Sequence, residues 1–161
     1  MDNLTEIHVF TDGSVDPITK IGYGAYLIVT NLDDSVETLK KHVKVKRFED
    51  TSSTRLEIQT LLWALREVNS FSKKLFLYTD SENITKLLDR RERLQRNNFV
   101  TKKNNPIRNS SLYQQFYKLA DEMDFEVVKV RGHNRKRLKD SIGDIFTLVD
   151  RASRKALRNK I

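Results

Sequence analysis

The chain has 161 residues, enough to bury a sizeable core, and a single domain over residues 1–161 is expected. It has no cysteine, which excludes disulfides and thiolate zinc sites, and its three histidines are too few and too scattered for a histidine metal site. The formal net charge of +8 favours a polyanionic partner, nucleic acid above all. No apolar run approaches the ~20 residues of a membrane span. The acidic, polar start shows no secretory pattern. A cytoplasmic protein with no membrane partner is therefore expected. A monomer is expected too, since no exposed apolar repeat suggests a partner surface.

The elements read in chain order as follows. Residues 4–10, "LTEIHVF", fit a strand that runs into Thr11, Asp12, Gly13 and Ser14. Residues 22–30, "GYGAYLIVT", fit a second strand, rich in aromatic and β-branched side chains. After a turn at "NLDD", residues 36–48 alternate well enough for a third, completing an antiparallel meander. Leu56, Leu61, Leu62, Leu65 and Val68 then recur at helical spacing. "KLFLYTD" at 74–80 is continuously apolar before its Thr-Asp, as a strand buried on both faces would be.

Residues 81–95 read as a second helix, 96–110 as a polar basic loop, and 111–123 as a third helix with Ser110 or Ser111 as its cap. "FEVVKV" is the fifth strand, 131–141 a second basic loop, and 142–160 a closing helix. The predicted order is βββαβααβα. This is an α/β fold with a five-stranded mixed sheet: three antiparallel strands, then two added by crossovers, flanked by helices.

Four acids stand where this order could aim them at one point: Asp12, Glu57, Asp80 and Asp150. Each has an ordinary structural use. Asp12 could turn the chain with Gly13. Asp80 or Ser81 could cap a helix. Thr54 and Glu57 have the spacing of a capping box. Asp150 could pair with Arg154 one turn on. Together they suggest more. Parallel placement of strands one and four would set Asp12 beside Asp80 at the sheet edge where ligands bind. Close carboxylates resist joint ionisation, and a divalent cation would resolve the conflict. Oxygen-only ligands point to Mg²⁺, or Mn²⁺ in its place, rather than zinc.

The set "VFTDGS", "TRLEIQTLLWAL", "LYTDSENI", "VRGH" and "VDRASRKA" resembles type-I ribonuclease H in order and rough spacing, over nearly the whole chain. The resemblance implies the ribonuclease H-like fold. It also implies hydrolysis of the RNA strand of RNA–DNA hybrids with two Mg²⁺ ions. By position it implies Asp12, Glu57, Asp80 and Asp150 as metal ligands, and His133 as the family's mobile loop histidine. Asp144 is the second choice for the last carboxylate, being closer to His133. On a helix, positions 144 and 150 point about 240° apart, so only one can face the site.

From Lys86 to Arg108 there are eight basic residues against two acidic ones. Lys86, Arg90, Arg93, Arg96, Lys102 and Lys103 are candidate substrate contacts, and the stretch resembles the basic protrusion of the bacterial enzymes. Gly13, Ser14, Ser53, Thr54, Arg55 and Ser81 are candidates at the catalytic edge, where a hybrid is recognised by groove shape, phosphates and 2′-hydroxyls. The sequence departs from the family pattern at "SSTRLE" and at Glu82. Two rival readings stay open: another nuclease or recombinase on the same fold, and a module that binds hybrids without cutting them.

Overall fold

The computed structural model describes residues 6–68, 74–130 and 141–159. Its centre is a five-stranded sheet in the order β3-β2-β1-β4-β5. β1 (Glu6–Asp16), β2 (Ile21–Val29) and β3 (Lys44–Phe48) form the antiparallel meander. β4 (Lys74–Thr79) lies parallel to β1, and β5 (Phe125–Lys129) parallel to β4, each reached by a helical crossover.

The sheet carries a core on each face. Side chains alternate along β1, so Ile7 and Val9 go to one face and Phe10 to the other. The first core is closed by α2 (Ser53–Glu67) and α5 (Ser110–Glu122), through residues such as Ile58, Leu62, Leu65, Phe116 and Tyr117. The second is closed by α1 (Val36–Lys40) and α6 (Ser141–Asn159), through Leu39, Ile145, Phe146 and Val149.

Two predicted elements differ. Residues 36–48 are not one strand. Ser35 caps a short helix by accepting the Thr38 N–H at 3.2 Å, and buried Leu39 pins that helix before β3 begins. The alternation that suggested a strand holds only from Lys44 onward. Residues 81–95 are not one helix either. They form α3 (Glu82–Thr85) and α4 (Arg91–Arg96), joined by turns. Ile84 and Leu87 are buried, but the next buried apolar residue is Leu94, so no continuous apolar seam holds one helix down. Arg91, where such a seam would pass, instead forms two 2.7 Å hydrogen bonds to Asp121 of α5.

The α5 cap also differs. Asn109 occupies it, with φ 65 and no side-chain cap bond. Its amide oxygen instead accepts from Arg55 Nη1 at 3.2 Å, tying the start of α5 to the start of α2.

Close approach of α2 to the meander requires glycine. A Cβ at Gly24 would lie 2.1 Å from Thr60 Oγ1, and one at Gly13 would lie 2.8 Å from Leu56 Cδ2. The missing side chain of Gly13 therefore faces the core and seats α2.

Candidate active site

β1 does not stop at Asp12. It pairs with β2 through Asp16, while its pairing with β4 ends at Phe10 opposite Tyr78. The sheet forks there. Two residues further along each chain stand Asp12 and Asp80. The Phe10 and Tyr78 rings stack at 4.4 Å within the core under α6. By alternation Asp12 and Asp80 belong to that same face, at the fork.

α6 brings the third acid. Val149 and Ser153 are fully buried against the sheet, and the hydroxyls of Ser153 and Ser14 meet at 3.1 Å. That contact sets the register of the helix on β1 and turns Asp150 toward Asp12. Asp144 is exposed. Asp150, not Asp144, is therefore the α6 acid that lies beside Asp12, and it also holds Arg154 at 2.9 Å. The ion pair and the placement beside Asp12 coexist.

Glu57 arrives from the other face. The N-cap of α2 is Ser52, whose hydroxyl accepts the Arg55 N–H at 3.2 Å. The capping box that the Thr54–Glu57 spacing would allow is therefore not used as the helix cap. Free of that duty, Glu57 Oε1 accepts a 2.8 Å hydrogen bond from Ser81 Oγ. The same Ser81 oxygen accepts the Ile84 N–H at 3.1 Å, capping α3.

The electrostatics record this gathering. Burial first, and then the Asp80 charge, push Asp12 up to about 8. A hydrogen bond from the Gly13 backbone opposes the shift, and Asp150 adds to it through a side-chain hydrogen bond and its charge. Burial also raises Glu57, opposed by the Ser81 hydrogen bond and supported by the charge of Asp80. The acids thus form a row: Glu57, Asp80, Asp12, Asp150. Among the described residues no three of these side chains are gathered into a ready-made metal cage.

The other sequence candidates divide. Ser81 is 4% exposed and positions Glu57 from behind. Ser14 docks α6, and Arg55 braces Asn109. Ser53 and Thr54 are exposed at the start of α2. Glu82 is clamped by Lys86 at 2.9 Å and Lys129 at 3.1 Å. Those two hydrogen bonds hold it down to about 2. Lys129 was not a sequence candidate. The signal for it was its place at the end of β5, on the edge where Asp12 and Asp80 stand.

In the basic stretch, Arg90 donates to Asn83 at 2.8 Å and lies 5.8 Å over the Tyr113 ring. Arg96 approaches Glu92 only at 3.9 Å. Residues 97–109 are not a shapeless loop. Val100 bridges Pro106, Thr101 and Asn105 close the turn, and Phe99 packs into the core beside Tyr117. This small hairpin carries Lys102 and Lys103 at its exposed tip, and exposed Arg93 lies on α4 just before it. His133 lies outside the described residues.

The comparisons with known proteins bear on the family and the fold. The family model for RNase H matches residues 5–156. A ribonuclease H of Symbiobacterium thermophilum is 27% identical over 133 residues, covering 81% of this chain and 84% of that protein. One of Moorella thermoacetica is 25% identical over 134 residues, covering 81% and 82%. Among solved structures, the foamy viral protease-reverse transcriptase in complex with dsDNA superposes with a TM-score of 0.61 at 14% identity, over 95% of this chain and 98% of that one. The native prototype foamy virus protease-reverse transcriptase gives 0.73 at 15%, over 96% of this chain but 21% of that longer one. These structures share the fold. With the family model spanning both ends of the carboxylate row, the chain belongs to the RNase H family.

Proposed function

We propose that this enzyme hydrolyses the RNA strand of RNA–DNA hybrids, using Mg²⁺ held by Asp12, Glu57, Asp80 and Asp150. The observation that carries the reading is the row itself, in which Asp12 is driven up to about 8 by burial and by its neighbours. A protein has little use for such a cluster unless something cationic relieves it.

The donor set fits the ion. All donors are carboxylate oxygens, as a hard cation requires. A row rather than a cage suits Mg²⁺, which keeps several waters and takes one or two carboxylates at a time. Two bound ions would supply an activated water and neutralise charge on the phosphate. The chain's own residues do the rest. Asp12 and Asp80 each stand two residues beyond the last β1–β4 pair, so the fork of the sheet holds them near one another. Ser81 holds the Glu57 carboxylate toward them. Arg154 keeps the Asp150 carboxylate oriented. His133, by resemblance, assists proton movement.

A substrate panel of hybrid, duplex DNA, duplex RNA and four-way junction in Mg²⁺ tests the reading. Hybrid alone should be cut. Junction cleavage would favour a resolvase, and hybrid binding without turnover would favour a binding module.

Two further outcomes are expected. Ser81→Ala removes an N-cap worth about 1 kcal/mol. Because the Ser81 hydrogen bond holds the Glu57 pKa down, its loss should also raise the Mg²⁺ concentration needed for half-maximal cleavage. An unchanged Mg²⁺ titration alongside a lower melting temperature would reduce Ser81 to a cap alone.

Lys102 and Lys103 project from the hairpin tip, and no partner is seen for them among the described residues. We assign them to the DNA strand's phosphates. Replacing both by alanine should weaken hybrid binding about tenfold near 0.1 M salt and flatten its log-log salt slope by about one to two. An unchanged slope would remove the hairpin from the interface.

A further inference from the structure

A second basic surface begins where the carboxylate row ends. A groove of about 890 Å³ runs between β3 and α6, with Asp150 at one end and Arg158 and Asn159 at the other. Among the described residues, six basic side chains line it against one acidic side chain, Asp150. Its floor is aliphatic, with Val43 and Val45 on one side and Ala152 and Ala156 on the other.

The alternation of β3 builds it. Lys46 turns to the opposite face, where its ammonium lies 5.3 Å from the Phe48 ring and 5.7 Å from Trp63. Val45 and Arg47 therefore face α6. On the helix, Arg151, Lys155 and Arg158 are exposed. Among the described residues, Arg154 pairs with Asp150 and Arg47 with Glu49, and no ion pair is seen for the other four cations of the groove.

We propose that this groove holds a single-stranded extension of the nucleic acid whose hybrid portion lies over the carboxylates. The inference rests on the reading of the site as a hybrid nuclease. Charge complementarity and continuity with the site both support it. A strand leaving the site past Asp150 meets cations on both walls and an apolar floor for its sugars and bases. Such a charged channel follows a backbone with little regard to sequence. From Asp150 to Arg158 the helix advances roughly 12 Å, about the length of two nucleotides of extended strand. Val45 is 41% exposed, and so available to a base. Among the described residues no base-stacking ring stands open in the groove, since Tyr23 is buried, so the grip is mainly electrostatic.

The test compares blunt hybrids with hybrids bearing a short single-stranded tail at each end in turn, in Mg²⁺. The proteins are the full chain and its Lys155→Ala/Arg158→Ala variant. A tail at one end should lower KM severalfold and leave kcat unchanged, and the variant should lose that gain. The tail should also steepen the salt dependence, by about 0.7 for each phosphate held. Equal KM for blunt and tailed hybrids, or a gain that survives in the variant, overturns the proposal.

A parallel arm reads the groove without catalysis: anisotropy of labelled single-stranded DNA, single-stranded RNA and an acidic peptide. Loss of oligonucleotide binding in the variant supports the proposal even if no hybrid is cut. Loss of peptide binding alone assigns the groove to a protein partner and overturns it. Cleavage of hybrids with no tail effect leaves the nuclease reading standing and sinks only this one.

Discussion

Asp12→Asn should abolish Mg²⁺-dependent cleavage, by about three orders of magnitude or more, while making the metal-free protein more stable. Both effects come from one group. Losing a group that stabilises transition-state charge costs about 10²–10³ in rate even for a neutral donor, and Asp12 sits at the centre of the row. The stability gain follows from linkage. Asp12 rises from its ordinary 3.8 to about 8 in the folded chain, so the native state holds a proton that the unfolded state has released. Stability is then fully present below the unfolded value and falls as pH rises toward 8.

One pKa unit corresponds to about 1.4 kcal/mol. Shared protons and solvent access reduce the sum, so a gain of roughly 1–3 kcal/mol at pH 8 in EDTA is the expected size. Melting curves of both proteins from pH 4 to 8 would check it. The parent should lose stability across that window and recover it with Mg²⁺, and Asp12→Asn should show a flatter profile. Parallel profiles for the two proteins would mean that the row is not under charge repulsion.

Gly24→Ala should be the most damaging single methyl in the meander. In a strand this change ordinarily helps, since glycine costs about 0.5–1 kcal/mol of chain entropy. Here the added carbon would meet Thr60 Oγ1 at 2.1 Å, with Thr60 Cγ2 and Cβ at 2.9 and 3.0 Å. Thr60 is buried, and its hydroxyl is bonded to the Leu56 carbonyl at 2.8 Å, so α2 itself must lift. Overpacking of this kind costs about 1–3 kcal/mol. Because α2 carries Glu57, activity should fall beyond what the lost stability explains. Thr60→Ala in the same background should restore most of both, a coupling that a double-mutant cycle would measure by urea unfolding. Additive effects of the two changes would show that the helix is not seated on Gly24.

Much of this was legible in the sequence, and the reasons differ from element to element. The strand β4 and the helix α2 carry long, one-period apolar patterns, and such patterns survive in the fold. The parallel pairing of β1 with β4 followed from the helix between them, and it places Asp12 beside Asp80. The failures share a cause. Residues 36–40 and 81–95 are short stretches in which one or two buried leucines decide the structure, and spacing says little over so few positions. The β1 fork was hidden for another reason. A strand that leaves one neighbour while keeping the other looks, in sequence, like a strand that ends.

The candidate site shows the same division. Residue types and order singled out the four carboxylates. Asp150 was preferred to Asp144 on the pattern of its helix although Asp144 is closer to His133; the Ser14–Ser153 contact that brings Asp150 beside Asp12 comes from two distant serines, which give no sequence signal. Ser81 and Gly13 were read as substrate contacts because they stand beside aspartates. The structure gives both a packing role that their position in sequence does not announce: Ser81 bonds Glu57, and Gly13 leaves room for Leu56. The β3–α6 groove was missed because its cations come from segments about a hundred residues apart, each unremarkable alone.

The central claim is that the carboxylate row cuts one strand of a hybrid with the help of Mg²⁺. Its most direct test is a hybrid labelled on both strands and incubated with the full chain in Mg²⁺, with an EDTA control and Asp12→Asn beside it. A cut RNA strand and an intact DNA strand are expected in Mg²⁺, and no cleavage in either control. Cleavage that persists in EDTA or in Asp12→Asn, or a cut DNA strand, would contradict it.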